Sequence, residues 1–234
     1  MEQSNNIFTP TLLTWFAQNA RDLPWRHTQD PYAIWLSEII LQQTRIAQGT
    51  AYWQRFMQRW PTVNDLARAS EDEVLRAWQG LGYYSRARNL HHAAQQIVQQ
   101  GTFPNNYADL RQLKGVGDYT AAAIASMAFG RVAPALDGNL FRIVARLFRL
   151  KDDIALPKSR KVFMEILDIL IDPDRPGDFN QAMMDLGACV MTPSNPRPDN
   201  HPLASYDASY QVGDSDQYPV KSKKVKQTRL LSCG

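Results

Sequence analysis

The sequence predicts an all-α protein. Three observations lead there. Gly and Pro are sparse between residues 33 and 100, apolar residues in that stretch recur at helical spacing, and no series of alternating runs marks strands.

The elements follow in order. An N-terminal helix precedes residue 29. Ile34, Leu36, Ile39, Ile40 and Ile46 with Ala47 suit a buried helix. Tyr52, Phe56 and Trp60 stand four apart, hence on one helix face, and Pro61 ends that helix. Leu66, Val74, Leu75 and Trp78 mark the next pair, with Ser70 and Glu73 forming a capping box. Gly80-Leu-Gly82 interrupts the chain before a helix over 85–99. Further helices are expected over 105–113, 119–129, 138–149, 158–171 and 178–190. From Thr192 to Asp207 the chain is rich in Pro, Asn and Ser and has no helical period. Residues 211–234, with Lys221, Lys223, Lys224, Lys226 and Arg229, read as a basic, disordered, solvated tail.

A chain of 234 residues can hold one large domain or two small lobes. Its net charge of +3 and pI near 8.9 are compatible with a nucleic-acid partner without singling one out. Only Cys189 and Cys233 are present, which excludes a disulfide scaffold and points to a reducing, intracellular setting. No apolar run approaches a membrane span, and polar Met1 to Asn6 lacks the apolar region of a secretory signal.

The chemistry concentrates at Leu113-Lys-Gly-Val-Gly-Asp-Tyr-Thr120 and Leu136-Asp-Gly-Asn139. Gly115 and Gly117 around Val116 allow a tight turn whose N–H groups, with the dipole of the next helix, suit a phosphate. Alone, Gly-x-Gly would be an ordinary helix–helix turn. Within Leu-x-Gly-Val-Gly-x-x-Thr-Ala-x-x-Ile it resembles the helix-hairpin-helix of the endonuclease III superfamily of DNA glycosylases. Asp137 would alone be a helix cap. In that superfamily the spot belongs to a catalytic carboxylate, which stabilises the cationic sugar left when a base departs. Bifunctional members carry at position 119 a Lys that forms a Schiff base. Tyr119 here implies hydrolysis without a lyase step.

Three more segments narrow the resemblance: Leu23-Pro-Trp-Arg26 with residues 31–44, Gly80 to Leu90, and Phe179 to Gly187. Over about residues 8–210 the chain resembles the MutY-type adenine DNA glycosylases, which remove adenine mispaired with 8-oxoguanine. The resemblance implies a six-helix barrel over 30–136 carrying the hairpin, and a second lobe from 1–29 and 137–210, with DNA across the cleft. It implies Glu38 as the acid that protonates the leaving base, Asp137 as the second carboxylate, and Tyr119 and Asn139 as its helpers. It also implies an adenine pocket with Trp25, Arg26 and Gln181. Gln42, Gln43, Thr44, Leu81 and Tyr83 are then expected at the DNA, with Gly115, Val116 and Gly117 at a phosphate. The implied partner is double-stranded DNA containing A·8-oxoguanine or A·G, bound by a monomer that works with the genome.

Two departures from the family stand out. Relatives bind a [4Fe–4S] cluster through four cysteines, and the aligned positions here hold Met191, Pro198, His201 and Asp207. Iron–sulfur clusters need thiolates, so no cluster is expected; packing of Met191, Leu203 and Tyr206 is expected to hold the loop. A zinc site from His201, Asp207 and Cys189 is the weaker alternative. The family's C-terminal domain, which reads 8-oxoguanine, is not in this sequence, so discrimination against guanine is expected to be weaker. The rival activities are a thymine glycosylase for G·T mismatches and a non-catalytic lesion-binding protein.

Overall fold

A computed structural model describes residues 2–222, with side chains from residue 7 onward. Twelve α-helices and no strand occur among the described residues, and no helix there is long and apolar enough to cross a membrane. The helices are α1 (Glu2–Asn19), α2 (Pro31–Leu41), α3 (Ile46–Arg59), α4 (Val63–Arg68), α5 (Glu71–Trp78), α6 (Ser85–Gln100) and α7 (Tyr107–Leu110). They continue with α8 (Asp118–Phe129), α9 (Gly138–Phe148), α10 (Ser159–Leu170), α11 (Pro176–Asp185) and α12 (Ala208–Val212).

Local chemistry sets the boundaries. Asp30 caps α2 by accepting from the Tyr32 amide, and Pro31 fits the first helical position, where its missing N–H is not needed. Ser70 and Glu73 form the expected capping box of α5, and Thr62 with Asp65 forms a second at α4. The spacing 105–113 yields less helix than expected. Only Tyr107–Leu110 is α-helical, and residues 111–116 continue as turns closed by Leu113 N to Leu110 O and Val116 N to Leu113 O.

Burial divides the helices between two cores. The first runs from Tyr32 to Ala135 and is centred on α2, which packs against α3 and α8. Residues 32–37, 39 and 40 of α2 are all buried, because this helix is surrounded on nearly every side. Phe56 sits edge-to-face with both Trp60 and Trp78. The second core joins Phe8, Leu12, Leu13 and Phe16 of α1 to α9, α10 and α11, and closes with Met191, Leu203 and Tyr218.

The second core corrects the expectation of a disordered tail for residues 211–222. Ser215 and Tyr218 are buried. The Arg146 guanidinium donates Nε–H to the carbonyls of Ser215 (3.2 Å) and Tyr218 (3.3 Å). The Ile154 amide donates to Val220 O at 3.0 Å, and the Ser222 amide to Asp153 Oδ1 at 3.1 Å. A polar segment is ordered here because its carbonyls satisfy a buried arginine. Residues 223–234, including Lys223, Lys224, Lys226 and Arg229, lie outside the described residues.

Candidate active site

A cavity of about 250 Å³ opens between the two cores. Each element contributes a side chain for a local reason. Trp25 and Arg26 come from a single 3-10 turn opened by Pro24, Glu38 from α2, Tyr119 from the first turn of α8 after the glycine hairpin, and Gln181 and Met184 from α11. Asp137 and Asn139 come from the start of α9. Of the residues singled out in the sequence, Trp25, Arg26, Glu38, Thr44, Tyr119, Asp137, Asn139 and Gln181 all line this one cavity. Trp25 is buried and meets Trp53 edge-on, at 5.9 Å between ring centroids.

The two carboxylates differ in their surroundings. Glu38 is the one residue between Tyr32 and Ile40 that is not fully buried, because it faces the cavity. Burial pushes its carboxyl up to about 7; the Tyr119 hydroxyl and the Arg26 charge pull it down, and the Asp137 charge adds to the rise. The Tyr119 hydroxyl sits beside Glu38 and donates to Met184 Sδ at 3.7 Å. Burial beside Glu38 and Asp137 holds that phenol well above its ordinary range, so it is neutral and a donor.

Asp137 is both a helix cap and a cavity residue. Its Oδ1 accepts from the amides of Asn139 (2.8 Å) and Leu140 (2.9 Å), and its Oδ2 accepts from Asn139 Nδ2 at 2.9 Å. Burial raises its pKa, while these three N–H donors and the Arg142 charge favour the anion. Arg142 extends the chain inward. It donates to Asn139 Oδ1 and Gly187 O (both 2.7 Å) and to Met191 O at 2.7 Å.

Other expected residues lie outside the cavity. Gly115 has φ +77, and an added Cβ would meet Asn89 at 2.7 Å, so the hairpin requires glycine there. Val116 is buried between the hairpin helices, and a Cβ at Gly117 would point into open space. Gln42 caps the C-terminus of α2. Gln43 and Tyr83 are exposed non-glycine residues in the left-handed region, with φ +56 and +46, a conformation found at functional loops. Leu81 is expected at the DNA and lies at the foot of the Tyr83 loop. It is 8% exposed and packs into the first core, anchoring the loop from which Tyr83 projects.

Arg21, Asp185, Arg86, Arg142, Met127 and Met184 were not singled out in the sequence. Arg86 donates to the carbonyls of Ile39, Ile40 and Gln42 at the end of α2, and to those of Leu81 and Gly82. One guanidinium thus fixes the loops of Gln43 and Tyr83 together. The short motif Ser-Arg-Ala-Arg gives no sign of which arginine turns inward.

The positions Met191, Pro198, His201 and Asp207 do not fit a [4Fe–4S] cluster, because none supplies a thiolate. Met191 is buried in the second core. His201 Nε2 meets Asp207 Oδ2 at 3.0 Å, and its Nδ1 faces the Leu203 amide at 3.3 Å, so both ring nitrogens are occupied within the protein. Asp207 Oδ1 accepts from the Ser209 hydroxyl (2.8 Å) and the Tyr210 amide (2.9 Å). Burial opposes the Asp207 charge, but these donors hold its carboxyl below the ordinary range. Cys189 is exposed, and among the described residues no group of three or more His, Cys, Asp or Glu side chains is placed to hold a metal.

Residues 36–170 match the family described as HhH-GPD superfamily base excision DNA repair protein. The chain is similar to the adenine DNA glycosylase of Rattus norvegicus, 44% identical over 218 residues, covering 87% of this chain and 42% of the relative. It is similar to that of Homo sapiens, 43% identical over 241 residues, covering 97% of this chain and 41% of the relative. The chain therefore spans about two-fifths of the length of these relatives. Among solved structures it resembles a thermostable thymine-DNA glycosylase, with a TM-score of 0.81 at 28% identity, covering 90% of this chain and 98% of that one.

Proposed function

This chain belongs to the HhH-GPD superfamily of base excision DNA repair proteins, and from that premise we propose that it removes adenine paired with 8-oxoguanine or guanine in duplex DNA by hydrolysing the N-glycosidic bond. The observation that carries this reading is one cavity holding an acid raised to about 7, Glu38, opposite a carboxylate held by three N–H donors, Asp137. A volume of about 250 Å³ is small for a ligand pocket and suits a single extruded base.

In this mechanism Glu38, protonated near neutral pH, gives its proton to N7 of the flipped adenine, so that a neutral base leaves. As the C1′–N9 bond breaks, positive charge develops on the sugar, and the Asp137 anion stabilises it. Water then adds to C1′ and gives its proton to the Glu38 carboxylate, which regenerates the acid. Tyr119 offers no amine, so the reaction ends at the abasic site with no Schiff base. The hairpin at Gly115–Gly117 and the start of α8 grip a phosphate, while Gln43 and Tyr83 face the opposite strand.

Adenine is preferred to thymine because Arg26 and Gln181 put guanidinium and amide groups at the cavity wall, and because the relatives at 43–44% identity carry the adenine name. A purely binding role would leave the pairing of Glu38 with Asp137 without purpose. The test is single-turnover base release from A·8-oxoguanine, A·G and G·T duplexes. Release of adenine from the first two is expected. Release of thymine alone, or of no base, refutes the proposal.

A further inference from the structure

Asp185 is wholly buried, yet it carries a charge and lies 159 residues from its partner Arg26 in sequence. Its Oδ2 accepts from Arg26 Nη1 at 2.7 Å and its Oδ1 from Arg26 Nη2 at 2.8 Å. Arg21 binds the same carboxylate through its amide (3.2 Å), its Nε (2.8 Å) and its Nη2. Arg26 Nη1 also donates to Arg21 O at 3.1 Å, and the Phe16 ring covers the guanidinium at 5.4 Å. Of the five N–H donors of Arg26, three are therefore taken, leaving Nε–H and one Nη2–H. Arg21 and Arg26 both line the cavity that Glu38 faces.

We propose that Asp185 is a positioning residue for the active site: it fixes the Arg26 guanidinium in the cavity wall, leaves two of its donors for a base, and offsets its charge toward Glu38. The part concerning a base rests on the proposed glycosylase reaction, and the charge part does not. The groups acting on Glu38 are Tyr119 from α8, Asp137 at the start of α9 and Arg26 from the 3-10 turn. From the α3 side the cavity receives only Thr44 and Ile46, and Arg86 of α6 is engaged by the carbonyls that end α2. Arg26 is the cation among those groups, Arg21 lines the same cavity, and Asp185 is the counter-charge the two share. Burial opposes the Asp185 anion, but the hydrogen bonds from Arg26 and Arg21 outweigh it and hold the carboxyl below its ordinary range, so the counter-charge is present at neutral pH.

Two substitutions give opposite signs. Asp185→Asn keeps the side-chain shape but leaves Arg21 and Arg26 uncompensated, which favours the Glu38 anion. Arg21→Gln removes one cation and leaves Asp185 wholly to Arg26, which favours the neutral acid. The experiment is a carbon-13 carboxyl titration of Glu38 in the full chain, assigned with Glu38→Gln, with folding checked by circular dichroism. The Glu38 midpoint should fall in Asp185→Asn and rise in Arg21→Gln, each by on the order of half a pH unit. The alkaline limb of single-turnover adenine release should move the same way. Asp185→Glu, which restores the charge, should return the midpoint close to that of the unsubstituted chain. An unmoved midpoint in folded Asp185→Asn, or a fall in Arg21→Gln, overturns the inference. If Asp185→Asn does not fold, Arg21→Gln decides alone. If no duplex loses a base, the glycosylase reading fails, and the titration still decides the charge part.

Discussion

Replacing Glu38 by Gln should abolish base release and, at alkaline pH, make the protein more stable. Gln has nearly the same shape but never ionises. Burial raises the Glu38 carboxyl from 4.5 to about 7, and each unit is worth about 1.4 kcal/mol. A rise of about 2.5 units sets an upper limit near 3.4 kcal/mol. Because the carboxyl faces an open cavity, water reduces this, and about 1–3 kcal/mol is expected. The sign follows from proton counting. At pH 4 the group is protonated in both folded and unfolded chains, so the two proteins should be equally stable. Above pH 4.5 the unfolded chain ionises freely while the folded one resists, so the unsubstituted protein loses stability relative to Glu38→Gln. The gap should widen to about pH 7 and stay level above it. Titrations shared by both proteins cancel in the difference. Urea unfolding of both at half-unit steps from pH 5 to 9 measures it. Equal stability at pH 8, or a gap that shrinks as pH rises, would show that Glu38 is not a strained acid.

Asp137→Asn should also abolish adenine release, costing on the order of several kcal/mol in the barrier. Asn is itself a good helix cap, so thermal unfolding and DNA binding by gel shift should change little; normal turnover would contradict the mechanism. Borohydride should trap little or no covalent enzyme–DNA adduct, because Tyr119 stands where a Schiff base would need an amine, and efficient trapping would refute a purely hydrolytic route. His201→Ala should destabilise the protein by about 1–3 kcal/mol by stranding the buried Asp207 oxygen, read by urea unfolding; a change under about 0.5 kcal/mol would mean that the pair is not holding the loop. Purified protein should contain no stoichiometric iron by metal analysis, and about four irons per chain would mean that a cluster binds without the four thiolates.

What was legible in the sequence depended on range. Helix starts were readable because a cap acts over three residues, as at Ser70 and Glu73. The hairpin, Glu38 and Asp137 were readable because each sits in a contiguous motif. The burial of Leu81 has a local cause that a Gly-x-Gly does not reveal: between Gly80 at φ +99 and Gly82 at φ +69 the chain turns inward, and Leu81 goes with it. The contacts that hold the site together were not readable. Asp185 finds Arg21 across 164 residues, and Arg86 finds the end of α2 across 44 to 47. Periodicity and caps carry no information about such pairs. The order of 211–222 is not legible in its polar side chains because the segment is held by its backbone: the Ser215 and Tyr218 carbonyls are what Arg146 needs.

The division of labour between the two carboxylates follows from where each sits on its helix. Burial pushes both up. Glu38 lies in the middle of α2, where backbone amides are already committed to the helix, so the donor near its carboxyl is the Tyr119 hydroxyl. Nothing there offsets burial fully, and the neutral acid survives to about pH 7. Asp137 stands at the N-terminus of α9, where the first amides have no helical partner. Two of them, with the Asn139 side chain, point at its oxygens, and the helix dipole adds to their effect. In one cavity a mid-helix position thus favours a proton donor and a cap position favours an anion, the pairing that separates an acid from a charge stabiliser. The cap reading of Asp137 and the catalytic one are therefore not rivals. The amides that cap the helix are the groups that favour the charged carboxylate the sugar cation needs, working against a burial that still leaves the pKa raised.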